Sequence, residues 1–180
     1  DKAGYPTNKI TVFPHGIYDF FQDYDYKEYS VEPNTLLFFG TIRPTKGFDR
    51  IPEILDILED EIPDISAIVA GGAATSTFVD QNRFQNTINS LRDNSRIELH
   101  DRYIPNEEVG EFFTRASLAV LPYYDATDSG VIKTAYAFDT PIVATNVGNI
   151  GRAINLDETG LVADPKSVRD ISSKISVLLN

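Results

Sequence analysis

Short apolar runs alternate along this chain with longer stretches whose apolar residues recur every three or four positions. The runs at 36–40 (LLFFG), 65–70 (ISAIVA) and 118–122 (LAVLP) are almost continuously apolar, as strands covered on both faces must be. A similar run at 142–144 follows Pro141, and shorter strand signals stand at 9–14 (KITVFP), 96–99 (RIEL) and 159–162 (TGLV). Between the runs, Phe48, Ile51, Ile54, Leu55, Leu58 and Ile62 keep helical spacing, as do Val168, Ile171, Ile175 and Leu178. Less regular helices are predicted at 78–91 and 108–117. The second has Asn106 as its N-cap and Glu107 and Glu108 where the helix dipole favours acids. Another short helix opens at Asp128 or Ser129, carries Val131, Ala135 and Phe138 on one face, and leads to the 142–144 strand. A turn at Gly148 leads into 150–154, and the acidic, aromatic stretch 18–34 reads as a surface connection pinned to the domain flank. Strands separated by helices mean βαβ units, so the predicted fold is α/β with a doubly wound, mostly parallel sheet.

Composition narrows the function classes. The 180 residues suffice for one domain with a three-layer core, and no linker or repeat divides them. A net charge of -11 argues against nucleic-acid partners, which require a basic face. With no Cys there is no thiol chemistry or thiolate metal site, and two distant histidines, His15 and His100, do not make a zinc site. No apolar run approaches a membrane span, and the polar first residues do not read as a signal peptide. The chain contains no Met, and we expect it to be one domain of a longer protein.

In a sheet of this kind ligands sit beyond the carboxyl ends of the strands, so the residues that follow each run are the candidates. Gly40 and Thr41 follow the first buried run and lead to Arg43, Pro44 and Lys46. Such a pair of cations is either two solvated charges or a clamp on a diphosphate, Arg gripping with two bonds and Lys as a point charge. Gly71 and Gly72 end the next run, where Gly permits close backbone approach. Tyr103 and Ile104 follow the third, either packed into the core or offering backbone groups to a base edge. Asp128, Ser129, Gly130 and Val131 form a helix start, whose unpaired N–H groups and partial positive charge suit an anion. Gly130 there lets a ligand come close to the backbone. Asp125 and Asp128 read as caps more readily than as metal ligands. No G-x-G-x-x-G, G-x-x-x-x-G-K-[ST] or G-x-S-x-G motif occurs, which speaks against a nicotinamide cofactor, an NTPase and a serine hydrolase.

Read in order, GTIRPTKGF, IVAGG, RYIPNEEV, AVLPYY, TDSGVIKTAYAFDTPIVATNVG and ETGLVADP resemble the C-terminal, donor-binding domain of GT-B-fold, family 4 (group 1) retaining glycosyltransferases. The opening VFPHGI is similar to the segment that enters that domain, so the likeness covers nearly the whole chain. It implies a Rossmann-like half of a GT-B fold, with residues 1–180 a single nucleotide-sugar-binding domain and the N-terminal acceptor domain absent. It implies that Lys46, aided by Arg43, serves catalysis by holding the donor diphosphate. The family arginine directly follows the strand-end glycine, a position that is Thr41 here. Ser129, Gly130 and Val131 match the loop and helix start that bind the distal phosphate, and Thr134 stands where many members place a ribose-binding glutamate. Gly148 to Arg152 departs from the usual G-G-L-P-E. The resemblance further implies a nucleoside-diphosphate sugar as substrate, no cofactor and no metal. Its acceptor would be a glycan or lipid-linked glycan, in a cytoplasmic enzyme of polysaccharide biosynthesis that can work at the inner face of the membrane. A non-catalytic nucleotide-sugar-binding module, or half of a sugar-nucleotide epimerase, fits the same pattern.

Overall fold

The computed structural model describes residues 8, 11, 16–73 and 81–180. The predicted strand at 9–14 and the turn at His15 lie almost wholly outside these residues, as do residues 78–80 of a predicted helix. Six strands, β1 (Thr35–Phe39), β2 (Ser66–Ala70), β3 (Ile97–His100), β4 (Leu118–Leu121), β5 (Ile142–Thr145) and β6 (Gly160–Ala163), form one sheet. Its order is β3-β2-β1-β4-β5-β6 and every pairing is parallel. The expected doubly wound architecture is therefore present. The order reverses between β1 and β4, which pair through Leu36 with Leu118 and Leu37 with Ala119.

Side-chain alternation explains why the runs are apolar throughout. Leu36, Phe38, Ala67, Val69, Leu118, Val120 and Val143 face one core, while Leu37, Ile68, Ala70, Ala119, Leu121, Ile142 and Ala144 face the other. The first core is closed by α1 (Ile51–Glu59), α2 (Gln81–Asp93) and α6 (Val168–Leu179), through residues such as Ile54, Leu91 and Ile175. The second is closed by α3 (Asn106–Arg115), α4 (Gly130–Ala137) and α5 (Ile150–Asp157), through Phe112, Ile132, Ala135 and Ile154. Two of these helix faces differ from expectation. On α4 the fully buried positions centre on Ile132 and Ala135, with Val131 and Phe138 only half-buried at its margin. The stretch after Gly148 goes on to Asp157 as a helix, because Ile150 and Ile154, one turn apart, both enter the core.

Element ends moved for local reasons. The helix expected over 48–62 opens as a 3-10 turn, Phe48–Arg50, and stops at Glu59. Pro63 disfavours helical backbone at Ile62, which still packs into the core at 6% exposure. Asn106 is the first helical residue of α3 rather than its cap, since Pro105 holds the extended cap conformation. The aromatic stretch 18–34 is pinned to the flank as expected. Phe21 is buried, the Tyr26 ring fills the space above Gly110 of α3, and Gln22 donates to the Ala137 carbonyl of α4.

Candidate functional site

The candidate site is built where the sheet order reverses. Gly40 directly follows β1, and the chain crosses the top of the sheet before entering α1. Gly71 follows β2 so close to Gly40 that a Cβ there would lie 2.2 Å from the Gly40 carbonyl oxygen, at a φ of +148°. Only glycine fits such an approach. Ile42 donates to the Gly72 carbonyl and bridges to Ala73, which holds the β1 loop over the end of β2. Gly72 in turn lies against the backbone of Arg102 and Tyr103.

The loop then turns back over the end of β4. Arg43 is extended, Pro44–Lys46 forms a 3-10 turn, and Gly47 closes it at a φ of +69°. A Cβ on Gly47 would lie 2.0 Å from the Pro122 carbonyl oxygen, so this loop rests directly on the residues that follow β4. The Tyr124 and Asp125 N–H groups both donate to the Thr45 carbonyl, at 2.9 and 3.3 Å. Arg50 is buried and donates to the carbonyls of Pro122 (3.0 Å) and Pro165 (2.6 Å), with its guanidinium over the Tyr124 ring.

This seating puts Lys46 over a buried aromatic ring. Its Nζ lies 3.6 Å from the centroid of Tyr123. Lys46 is half-buried, and among the described residues no carboxylate pairs with it. Burial, assisted by the neighbouring Arg43 cation, pushes the ammonium down to about 8. Tyr123 is 2% exposed and its hydroxyl lies 3.2 Å from Ser129 Oγ. Burial pushes this phenol up to about 12.

Ser129 is the N-cap of α4, and its own N–H donates to Asp128 Oδ1 at 2.7 Å. Its side chain makes no capping bond, and the N–H groups of Gly130 and Val131 have no hydrogen-bond partner among the described residues. The Gly40 position faces this helix start, since a Cβ there would touch Val131 Cγ2 at 3.5 Å. Arg43, Lys46, Gly40, Gly71, Ser129, Gly130 and Val131 are thus gathered at one end of the sheet, and Thr41 is exposed on the same loop. The arrangement is a cationic loop facing a helix start whose N–H donors have no partner among the described residues, a combination that suits an anion.

The remaining candidates are placed differently from one another. Tyr103 is 77% exposed at the end of β3, whereas Ile104 is buried in the core. Thr134 lies one turn into α4, buried, with its hydroxyl donating to the Gly130 carbonyl at 3.3 Å. A Cβ on Gly130 would meet the ring of Tyr18 at 3.1 Å, so on that side the missing side chain makes room for a tyrosine. Asp125 and Asp128 are exposed, and among the described residues no three His, Asp or Glu side chains gather as metal ligands. The sequence pattern gives no individual role to Tyr18, Arg50 or Tyr123. Arg50 left a trace, being a charge four residues before Ile54 on an otherwise apolar stripe. Tyr123 stands directly beyond a buried strand, where this class of sheet concentrates its function.

The fold and site define a doubly wound α/β domain whose switch point carries Arg43 and Lys46 beside the start of α4. The sequence pattern of the family described as glycosyl transferases group 1 matches residues 23–180, and this chain belongs to that family. It is 29% identical over 146 residues to a D-inositol 3-phosphate glycosyltransferase of Mycobacterium sp. (strain KMS), covering 79% of this chain and 31% of that protein. The chain thus spans about a third of the length of the curated relatives it matches. Among solved structures, the C-terminal domain of a group 1 family glycosyl transferase (LpcC) from Francisella tularensis superposes with a TM-score of 0.65 at 21% identity. The match covers 98% of this chain and 88% of that one. WaaG, a glycosyltransferase involved in lipopolysaccharide biosynthesis, superposes at 0.74 and 19% identity, covering 99% of this chain and 50% of its own. At that identity the likeness is one of fold, and it places the chain on the Rossmann-like half of a GT-B architecture.

Proposed function

We propose that this domain binds the nucleoside diphosphate of an activated sugar, as the donor half of a hexosyltransferase that retains anomeric configuration. The observation that carries the reading is Lys46, a cation with no carboxylate partner among the described residues, held beside the start of α4. A cation paired to a carboxylate would be neutralised; this one keeps its charge for a ligand. Breaking a glycosyl–phosphate bond leaves new negative charge on the departing diphosphate while the sugar becomes oxocarbenium-like. Lys46, Arg43 and the α4 donors stabilise that charge more as it develops than before, which lowers the barrier. They supply the compensation without a metal ion. Gly40 and Gly71 let the β1 loop pack closely on α4 and β2, and the β3–α3 loop at Tyr103, whose backbone lies against Gly72, would offer its groups to the base.

The acceptor, a glycan or lipid-linked glycan of a cytoplasmic polysaccharide pathway, would bind a second domain of the full protein. This domain alone is then a binder with little or no transfer. Calorimetry with UDP, GDP and ADP tests the reading. Binding of at least one, weak because only half a cleft is present and unchanged by EDTA, is the expected result. No heat from any of the three at about millimolar concentration would overturn it, and strict dependence on Mg²⁺ or Mn²⁺ would overturn its metal-free form.

A further inference from the structure

We infer that Tyr123 is a positioning residue, whose ring seats the Lys46 ammonium while its hydroxyl holds the Ser129 cap of α4. The inference rests on the diphosphate reading above and says how the two halves of that site keep their spacing. The ring-to-cation contact is 3.6 Å and the hydroxyl-to-hydroxyl contact 3.2 Å. One buried side chain therefore touches both the loop after β1 and the helix after β4. Its own backbone is fixed, because Thr145 Oγ1 donates to the Tyr123 carbonyl at 2.7 Å and the neighbouring Tyr124 N–H donates to Thr45.

Chemistry favours a ring over a carboxylate in this role. An aromatic face attracts an ammonium group without cancelling its charge, so Lys46 is held in place and remains available to an anion. A carboxylate at the same distance would compete with the ligand. The phenol is held high in pKa by burial, so it stays protonated and keeps its bond to Ser129 across the working range. Tyr123 touches no reacting atom in this scheme and acts through Lys46 and Ser129.

The test uses the 180-residue chain with Tyr123→Phe, Tyr123→Leu, Lys46→Ala and the Tyr123→Leu/Lys46→Ala double variant. Nuclear magnetic resonance of the Lys46 ε-methylene, without ligand, reads the ring current of Tyr123. Wild type and Tyr123→Phe should show an upfield-shifted signal, and Tyr123→Leu a signal at the free-lysine position. Affinity for the best-bound of UDP, GDP and ADP should fall about tenfold in Tyr123→Leu and by less in Tyr123→Phe. In the Lys46→Ala background Tyr123→Leu should cost little more, because the effect runs through the lysine. A full additive loss in the double variant, or wild-type affinity in Tyr123→Leu, would overturn the inference while leaving the diphosphate reading intact. If Lys46→Ala alone leaves affinity unchanged, the diphosphate reading falls instead. If Tyr123→Leu does not fold, the wild-type shift decides, and an unshifted Lys46 ε-methylene sinks the inference.

Discussion

Arg50 donates from Nη1 to the Pro122 carbonyl at 3.0 Å, and this bond staples the loop after β1 to the end of β4. Arg50 is only 6% exposed and its second bond runs to Pro165, ahead of α6. Arg50→Met would leave two carbonyls without a donor where water has little access. We expect a loss of about 2–4 kcal/mol, since each buried unsatisfied group costs ~1–3 kcal/mol. Arg50→Lys should recover part of it, having the charge but not the two-pronged geometry. Urea unfolding measures this, and a change below about 0.5 kcal/mol would mean the staple is not structural.

Lys46→Ala removes a charge-assisted contact worth about 1.5–3 kcal/mol if the lysine meets a diphosphate. Nucleoside-diphosphate affinity should then fall roughly tenfold to a hundredfold. Lys46→Arg should recover part of it. Lys133 is the control. Its Nζ lies 5.1 Å from the Tyr136 ring, and it lines a groove with Pro141 and Gly160 at the opposite ends of the strands. Lys133→Ala should bind as wild type does, and equal affinity in wild type and Lys46→Ala would remove Lys46 from the site.

Affinity should also depend on pH through Lys46, whose ammonium is held down to about 8. Binding needs the charged form, so affinity should decline above pH 8 in wild type and stay level in Lys46→Arg. Without ligand the sign reverses. The folded pKa lies below the unfolded value of 10.5, so the unfolded chain binds more protons between the two. This residue's contribution to stability therefore rises from about pH 8 to 10.5, and its charged form is a burden on the fold at neutral pH. Lys46→Met should melt no lower than wild type at pH 7. A clear drop in its melting temperature would mean that the contact with the Tyr123 ring outweighs the desolvation of the ammonium.

Gly71→Ala should disrupt the site from beneath. The new Cβ would press on the Gly40 carbonyl, which no rotamer change can relieve, in a backbone conformation that alanine avoids. A loss of at least about 2 kcal/mol is expected, together with weaker nucleotide binding as the β1 loop is displaced. Gly16→Ala is the comparison, because a Cβ there meets nothing within 4 Å among the described residues. Thermal melts of both variants settle the point, and similar melting temperatures would overturn it.

Periodicity alone was enough to determine the layered α/β plan. Runs such as 36–40 and 118–122 had to be strands buried on both faces, and stripes such as Val168, Ile171 and Ile175 had to be helices covering them. The family was legible too, because its motifs keep their order and fall directly after the strands. Element ends were less so, as Pro63 and Pro105 act through local backbone geometry that apolar spacing does not record. The contacts of the site were decided only in three dimensions. Lys46 and Tyr123 are far apart in the chain, and β1 meets β4 only because the sheet reverses its order there. That reversal lays the Lys46 loop on Pro122, turns Arg50 inward, and sets one tyrosine between a cation and a helix cap. Sequence spacing reports which face of its own element a residue occupies, but not which distant element that face will meet.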